Sequence, residues 1–218
     1  MEALPCKASS DATGWDGNRK VVQIRSSQQA QDHAETLPQR RWTVAEYHRM
    51  VATGILTGGD RVELIDGYIL ERVPQEPPHA STTSSFGNEF VLLFAGKAWV
   101  RQQLPLSIAP DSEPEPDIAV VRIDENRYRD KHPTPEDVFL LIEVAASTLT
   151  FDRHQKAQLY AKANIQEYWV IDIKKRQVLV MRDPQNNRYQ TQTILGINDK
   201  VSSVAFPDSV IQLSKLMG

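Results

Sequence analysis

Three acidic side chains stand in or against apolar segments that resemble buried strands. They are Glu63 in VELI, Asp117 in PDIAVV and Glu143 in LIEV. The Glu143 segment is the clearest case, because residues 138–142 form an unbroken apolar run, typical of a strand covered on both faces. A carboxylate in such a place is costly unless it is paired or bound to a metal. Each of these charges therefore needs a neutralising partner.

One possible partner is a shared metal ion. Carboxylates on neighbouring strands repel one another unless a cation lies between them, and hard cations such as Mg²⁺ or Mn²⁺ prefer oxygen ligands. The alternative is that each carboxylate separately caps a strand or pairs with a nearby base such as Arg61, Arg122 or Lys156. Acids at strand centres are rarely left unpaired, so the grouping of all three favours the metal.

Lys156 adds a second kind of chemistry. Asp152 is predicted to cap a helix, which puts Lys156 on its first turn. A short loop over residues 145–150 would then bring the lysine close to the end of the Glu143 strand. A lysine beside a metal-bound water can orient that water, help to remove its proton and stabilise charge on a transferring phosphate. The alternative is an ordinary solvated helix lysine.

Other site chemistries have little support. The five histidines lack the close spacing of metal ligands, and the single cysteine excludes a thiolate zinc cluster within one chain. The sequence contains neither a glycine-rich phosphate loop nor a G-x-S-x-G nucleophile elbow, so it predicts neither an NTPase nor an α/β-hydrolase.

The elements that would position the acids can be predicted from local patterns. Thr43 and Glu46 form a capping box that begins a helix, which Gly54 can end. Asp66-Gly67 suits the turn of a hairpin. A long helix is expected over residues 79–101, and a further helix begins at Asp152. Strands are expected over residues 104–108, 118–121, 138–144, 167–173, 177–183 and 188–194. Hairpins together with a strand-helix-strand passage predict a mixed α/β sheet.

Length and composition limit the protein class. A chain of 218 residues, 40% of them hydrophobic, suits one globular domain, here residues 39–218, behind a disordered or loosely attached leader over residues 1–38. The absence of a long apolar run and of a secretory signal predicts a cytoplasmic protein without membrane insertion. The net charge of −3 argues against binding nucleic acid through bulk electrostatics, although a local basic groove stays open.

Four separated motifs resemble the Uma-two family of restriction-endonuclease-like proteins, in that family's order. The likeness runs from about residue 42 to the C-terminus. The motifs are PPHA at 77–80, EPEPDIAVV at 113–121, LIEVAAST at 141–148 and DRHQKAQLYAKANIQEYWVID at 152–172.

The resemblance implies the PD-(D/E)XK nuclease fold, a central mixed sheet flanked by helices with a divalent-metal site for phosphodiester hydrolysis. On that pattern Asp117 is the aspartate of the PD motif, Glu143 the second acid and Glu63 an additional glutamate, all three being expected metal ligands. The usual lysine two positions after the second acid is replaced by Ala145. Lys156, from the following helix, matches the lysine that takes its place in this family.

The functional hypothesis is a Mg²⁺- or Mn²⁺-dependent endonuclease acting on nucleic acid, with DNA the favoured substrate. The alternative is a nuclease fold retained as a binding or assembly module without hydrolysis. His79 matches a family position and could approach the site, although a packed histidine at a helix N-terminus is the favoured alternative. Tyr160 is expected to pack beneath Lys156. Aromatic surface on the long helix or the C-terminal hairpin could support a homodimer.

Overall fold

The computed structural model of the chain describes residues 39–216. The leader predicted over residues 1–38 lies outside the described residues. The first described elements are helix α1 (Val44–Ala52), strands β1 (Val62–Ile65) and β2 (Tyr68–Glu71), and helix α2 (Pro77–Leu93). No helix in this part of the chain is long and apolar enough to cross a bilayer.

The capping box and the first hairpin form as the sequence predicts. The Thr43 hydroxyl accepts a hydrogen bond from the backbone N–H of Glu46, and the Glu46 carboxylate accepts one from the backbone N–H of Thr43. β1 and β2 pair antiparallel around Asp66 and Gly67, whose φ angles are 44° and 78°. A Cβ on Gly67 would lie 2.6 Å from Cβ of Arg41, so only glycine fits this turn.

A six-stranded mixed sheet forms the centre of the fold. Its strands are β3 (Trp99–Gln102), β4 (Ile118–Val121), β5 (Val138–Ala145), β6 (Glu167–Asp172), β7 (Gln177–Gln185) and β8 (Arg188–Gly196), in the order β3-β4-β5-β6-β7-β8. Only β5 and β6 are parallel, because a helical crossover joins them. The predicted mixed α/β sheet is confirmed. A separate hairpin, β9 (Lys200–Ser203) and β10 (Phe206–Gln212), follows the sheet.

Two predicted elements differ from the structure. The helix expected over residues 79–101 ends at Leu93, the chain turns through Gly96 at a φ of 74°, and Trp99–Gln102 forms edge strand β3. The strand expected over residues 104–108 is also wrong, because this segment joins no ladder beyond one isolated bridge. Its backbone amides bond instead to loop carbonyls, as when Leu106 N–H donates to Pro114 O. Prolines within and just after this segment cannot donate to a ladder.

The helical crossover begins three residues earlier than predicted. It comprises α3 (Leu149–Phe151), a π-helical segment over Asp152–Lys156 and α4 (Ala157–Lys162), which follow one another without a break. Asp152 is therefore inside the helix rather than its cap. Its backbone N–H donates to Thr148 O, and its carboxylate accepts a hydrogen bond of 2.6 Å from the Thr148 hydroxyl. Widened π turns of this kind are frequent at functional sites.

The central strands of the sheet are buried on both faces, whereas edge strand β8 is largely exposed. On one face Phe86 and Phe90 of α2, and Phe94 just after it, form an aromatic row, and Phe90 packs against Trp169 of β6. On the other face α4 and the first hairpin pack through Ile65, Leu141, Tyr160 and Tyr168, among others. The central strands β4, β5 and β6 are consequently rigid supports for any side chain they carry.

Candidate active site

The structure brings together the four side chains that the sequence predicts as a site. Glu63 comes from β1, Asp117 immediately precedes β4, Glu143 lies on β5 and Lys156 ends the π-helical segment. Each of the four is less than a tenth exposed, yet all line one cavity of about 440 Å³. They are buried by their neighbours while still facing a space that a ligand could enter.

Lys156 lies between two glutamates. Its Nζ is 3.1 Å from Glu143 Oε1 and 3.2 Å from Glu63 Oε1. Burial alone would lower the pKa of Lys156, but the carboxylates of Glu143, Glu63 and Asp152 outweigh burial and raise the pKa. The ammonium group is therefore charged. The second oxygen of Glu63 accepts a hydrogen bond of 3.1 Å from the backbone N–H of Glu115, so both oxygens of Glu63 are engaged.

Glu143 is buried among other acids. Its Oε1 also accepts a hydrogen bond of 3.0 Å from the Tyr160 hydroxyl, while its Oε2 receives only a long contact of 3.4 Å from the backbone N–H of Asp117. Burial raises the pKa of Glu143 well above its usual range, and the neighbouring Asp117, Asp152 and Glu63 raise it further, against the opposing effect of Lys156. Tyr160 thus does more than pack beneath the lysine, because its hydroxyl holds Glu143.

Asp117 is held by three donors. The backbone N–H of Val144 lies 2.8 Å and His79 Nε2 lies 3.2 Å from Asp117 Oδ2, and Gln103 Nε2 lies 3.2 Å from Oδ1. Burial works to raise the pKa of Asp117, but the His79, Val144 and Gln103 hydrogen bonds offset it and hold the pKa below its ordinary value. His79 therefore approaches the site, and Gln103 joins it without any signal in the sequence.

Asp152 belongs to the same cavity, although its sequence position suggested only a helix cap. The residue is 3% exposed, and burial raises the pKa of its carboxyl group to about 6, partly countered by Lys156. The signal that could have identified it is its spacing, because an acid four residues before Lys156 shares that lysine's helix face.

Carboxylates outnumber cations around the cavity. The acidic lining residues are Glu63, Glu71, Glu115, Asp117, Glu143 and Asp152, whereas the basic ones are Arg72 and Lys156. Such oxygen-rich, negatively charged surroundings suit a hard divalent cation.

The contacts of the individual carboxylates limit which of them could be ligands of a metal ion. Within residues 39–216, no group of three or more His, Cys, Asp or Glu side chains is already arranged to hold a metal ion. Glu63 is occupied by Lys156 and a backbone amide. Asp117 also accepts three hydrogen bonds, so engaged oxygens alone do not exclude a carboxylate as a ligand. The donor set that fits best is Asp117 with Glu143, because Glu143 Oε2 has the longest of these contacts, 3.4 Å to the backbone N–H of Asp117, and Mg²⁺ commonly takes one or two carboxylates and keeps water or substrate oxygens as its other ligands.

Comparison with known proteins gives a family and a fold. The family model described as "Uma2: Putative restriction endonuclease" matches residues 44–214. The crystal structure of "a putative nuclease belonging to DUF820" from Anabaena variabilis ATCC 29413 is similar at a TM-score of 0.62 and 17% identity, over 80% of this chain and 97% of that chain.

A second solved structure is more distant. The type IIG restriction endonuclease BpuSI is similar over 64% of this chain and 15% of that chain, at 13% identity and a TM-score of 0.38, which supports no inference. No curated protein matches the chain.

Proposed function

Because the chain belongs to the Uma2 family, whose model spans residues 44–214, we propose that it is a divalent-metal-dependent endonuclease that hydrolyses phosphodiester bonds, with DNA as the favoured substrate. The family resemblance that the four motifs indicate is thereby confirmed, and the solved structure with a TM-score of 0.62 supports the fold. The observation that carries the proposal is the group of buried carboxylates of Glu63, Asp117, Glu143 and Asp152, which face a single ammonium in an open cavity.

That charge imbalance is what a metal ion would relieve. Burial raises the pKa of Glu143 and of Asp152, and neighbouring carboxylates raise both further, so the site opposes the ionisation of these two groups. A second source of positive charge would let them ionise together. Asp117 and Glu143 are the residues that would hold it, since Asp117 is kept anionic by its donors and Glu143 Oε2 has only one long contact.

The residues of the chain then have separate tasks. A divalent ion bound there would polarise the phosphoryl oxygen and activate a water molecule. Gln103, His79 and the backbone N–H of Val144 hold the Asp117 carboxylate in one orientation. Glu63 and Glu143 keep the Lys156 ammonium in the cavity wall, where it orients the attacking water and stabilises negative charge on the phosphate.

The test is a cleavage assay of the full chain on plasmid, linear duplex, single-stranded DNA and RNA, with Mg²⁺, Mn²⁺ or EDTA. We expect metal-dependent cutting that EDTA abolishes and that falls by roughly 10³-fold in both Asp117→Asn and Lys156→Ala. Lys162→Ala is the matched control, because Lys162 lies on the same helical crossover, is 58% exposed and pairs only loosely with Asp66 at 3.8 Å. Normal cleavage by Asp117→Asn would refute the assignment.

A folded protein that cleaves none of these substrates would favour the second function, a binding or assembly module. One observation supports that alternative, because Lys156 already neutralises parts of Glu63 and Glu143 without any ion. Calorimetric titration with Mg²⁺ and Mn²⁺ would then decide whether the carboxylates bind metal at all. A cytoplasmic location and a homodimer remain predictions.

A further inference from the structure

The cavity lined by Glu63, Asp117, Glu143 and Lys156, which we call the catalytic cavity, adjoins other cavities. It meets a second cavity of about 780 Å³ at Arg72 and Glu115, which line both. The second cavity in turn shares His48, Glu113 and His132 with a third cavity of about 380 Å³. We call the second and third cavities together the outer groove. It runs from the catalytic cavity past α1 and the start of β1 to the loop over residues 128–134.

The acidic side chains of the outer groove already have partners. Both carboxylate oxygens of the buried Glu113 lie 2.9 Å from His48 Nε2, and Glu115 forms an ion pair with Arg72. Asp60 accepts hydrogen bonds from the backbone N–H and hydroxyl of Thr57, and Asp130 accepts one from Asn126. These carboxylates are thus locally neutralised or held by donors.

Three basic side chains of the outer groove are, by contrast, available, whereas Arg72 at its inner end is paired with Glu115. Arg61 lines the second cavity, and Arg129 and Lys131 line the third. All three are exposed, and within residues 39–216 none of their side chains has an ion pair or hydrogen bond. In the catalytic cavity, Arg72 and Lys156 are both paired with carboxylates.

The difference between the paired cations of the catalytic cavity and the unpaired cations of the outer groove indicates where a nucleic-acid strand could bind. The catalytic cavity is negatively charged, so it repels every phosphate except the one next to a bound cation. A nucleic-acid strand must therefore gain its affinity from cations outside that cavity, which neutralise phosphates and release counterions. The unpaired cations that adjoin the cavity through a continuous depression are Arg61, Arg129 and Lys131.

We propose that the outer groove binds the phosphodiester backbone of the strand whose scissile bond enters the catalytic cavity. The inference rests on the proposed nuclease function and adds to it the surface that holds the substrate. Arg61 contacts the phosphates nearer to the scissile bond, because its cavity adjoins the catalytic one, and Arg129 and Lys131 contact those farther along the strand.

The test measures binding apart from cleavage. Fluorescence anisotropy with a labelled DNA duplex, in EDTA to prevent turnover, compares the full chain with Arg129→Ala/Lys131→Ala across a series of salt concentrations. We expect affinity to fall roughly tenfold and the salt dependence to weaken by about two phosphate contacts. Arg61→Ala alone weakens the salt dependence by about one contact. Lys174→Ala/Lys175→Ala is the matched control, since it removes the same charge from the β6–β7 turn, outside the three cavities.

The outcomes separate this inference from the proposed function. Equal losses in the two double variants, or a larger loss in the Lys174/Lys175 control, would overturn the outer groove as the binding surface, even if cleavage is intact. Unchanged binding in Arg129→Ala/Lys131→Ala together with normal cutting would do the same. A wild-type chain that binds no duplex and cleaves none of the duplex or single-stranded substrates would remove both proposals. Selective loss in the Arg129/Lys131 variant supports the groove whether or not cutting is detected.

Discussion

Two glutamates on adjacent strands of the central sheet are buried to almost the same extent but have different surroundings. Glu143 on β5 is 4% exposed and Glu167 on β6 is 0% exposed. The oxygens of Glu167 accept hydrogen bonds from Arg182, Trp169 and Ser203, and from the backbone N–H of Val204, all at 2.9 Å or less. Among the residues that the structure describes, Glu143 has only Lys156, Tyr160 and a long contact at 3.4 Å with the backbone N–H of Asp117.

The difference shows that burial alone does not identify a functional acid. Glu167 is matched by one arginine and by neutral donors, and it does not line the catalytic cavity, so its charge stabilises the fold. Glu143 shares one ammonium with three further carboxylates and lines the cavity. A carboxylate with few donors, with like charges around it and with access to a ligand is the kind of group that we propose to hold a cation.

Glu143→Gln should have the largest effect, and on activity rather than on stability. We expect metal-dependent cleavage to fall by roughly 10³-fold or more, because the variant loses a carboxylate proposed to hold the ion. Stability should be unchanged or higher, since one of the crowded negative charges is removed. Single-turnover cleavage and urea unfolding measure the two effects. Full cleavage, or a strongly destabilised fold, would contradict the role inferred from the surroundings of Glu143.

Glu167→Ala should show the reverse pattern. Removing one partner of a buried ion pair costs about 3–5 kcal/mol, and we expect the lower end, because the Arg182 side chain is 30% exposed and can reach solvent. Cleavage per folded molecule should stay near the wild-type rate. Urea unfolding with active-site titration separates the two quantities, with the exposed Glu125→Ala as control. A selective loss of cleavage would mean that Glu167 takes part in the site.

Asp152 should make the free energy of unfolding depend on pH. Its pKa is raised from 3.8 to about 6 by burial, so the folded state binds the proton more tightly than the unfolded state. Its contribution to stability is complete below about pH 4 and is lost as the pH rises to about 6. At 1.36 kcal/mol per pKa unit, this loss is as much as about 3 kcal/mol.

Asp152→Asn cannot ionise and should escape that loss. The difference in unfolding free energy between the variant and the wild type should therefore shift in favour of the variant between pH 4 and pH 6 and level off above. Urea unfolding at a series of pH values provides the measurement. A pH-independent difference for Asp152→Asn would mean that the carboxyl titrates normally.

The fold was largely predictable where a short stretch of sequence determines a helix, turn or strand. The capping box at Thr43, the turn at Asp66-Gly67 and the apolar run of β5 each encode their element within a few residues, and all three are present. The predictions failed where pairing with a strand distant in sequence determines the secondary structure. Trp99–Gln102 continues the apolar spacing of α2 but becomes a strand because β4 offers it a partner.

The site was predictable in its residue types but not in its contacts. Glu63, Asp117, Glu143 and Lys156 stood out as charges in apolar or helical positions, and the family motifs gave them roles. Glu167 is equally buried yet went unnoticed at the start of its strand, because its partner Arg182 pairs with it only across β6 and β7. Sequence patterns report which strand carries an acid, whereas the number of donors around it depends on the tertiary fold.

The smallest effects are expected when each glutamate loses one hydroxyl group that donates a hydrogen bond to it. Tyr160→Phe deletes the donor to Glu143 Oε1 at 3.0 Å, and Ser203→Ala deletes the donor to Glu167 Oε2 at 2.8 Å. A hydrogen bond to a charged group is worth about 1.5–3 kcal/mol. Ser203→Ala should therefore lower the unfolding free energy by about 1.5 kcal/mol, because Val204 N–H still serves the same oxygen, and leave cleavage unchanged.

Tyr160→Phe should instead act mainly on cleavage. Loss of its hydroxyl leaves Glu143 Oε1 with Lys156 alone, so the lysine is drawn more firmly to the glutamate and is less available to orient water. We expect cleavage to fall about tenfold, with a smaller change in unfolding free energy than in Ser203→Ala. Cleavage rates and urea unfolding of both variants complete the comparison. Suppose that the two variants changed the cleavage rate and the free energy of unfolding in the same proportion. The donors around a buried carboxylate would then not distinguish a glutamate that acts in cleavage from one that stabilises the fold.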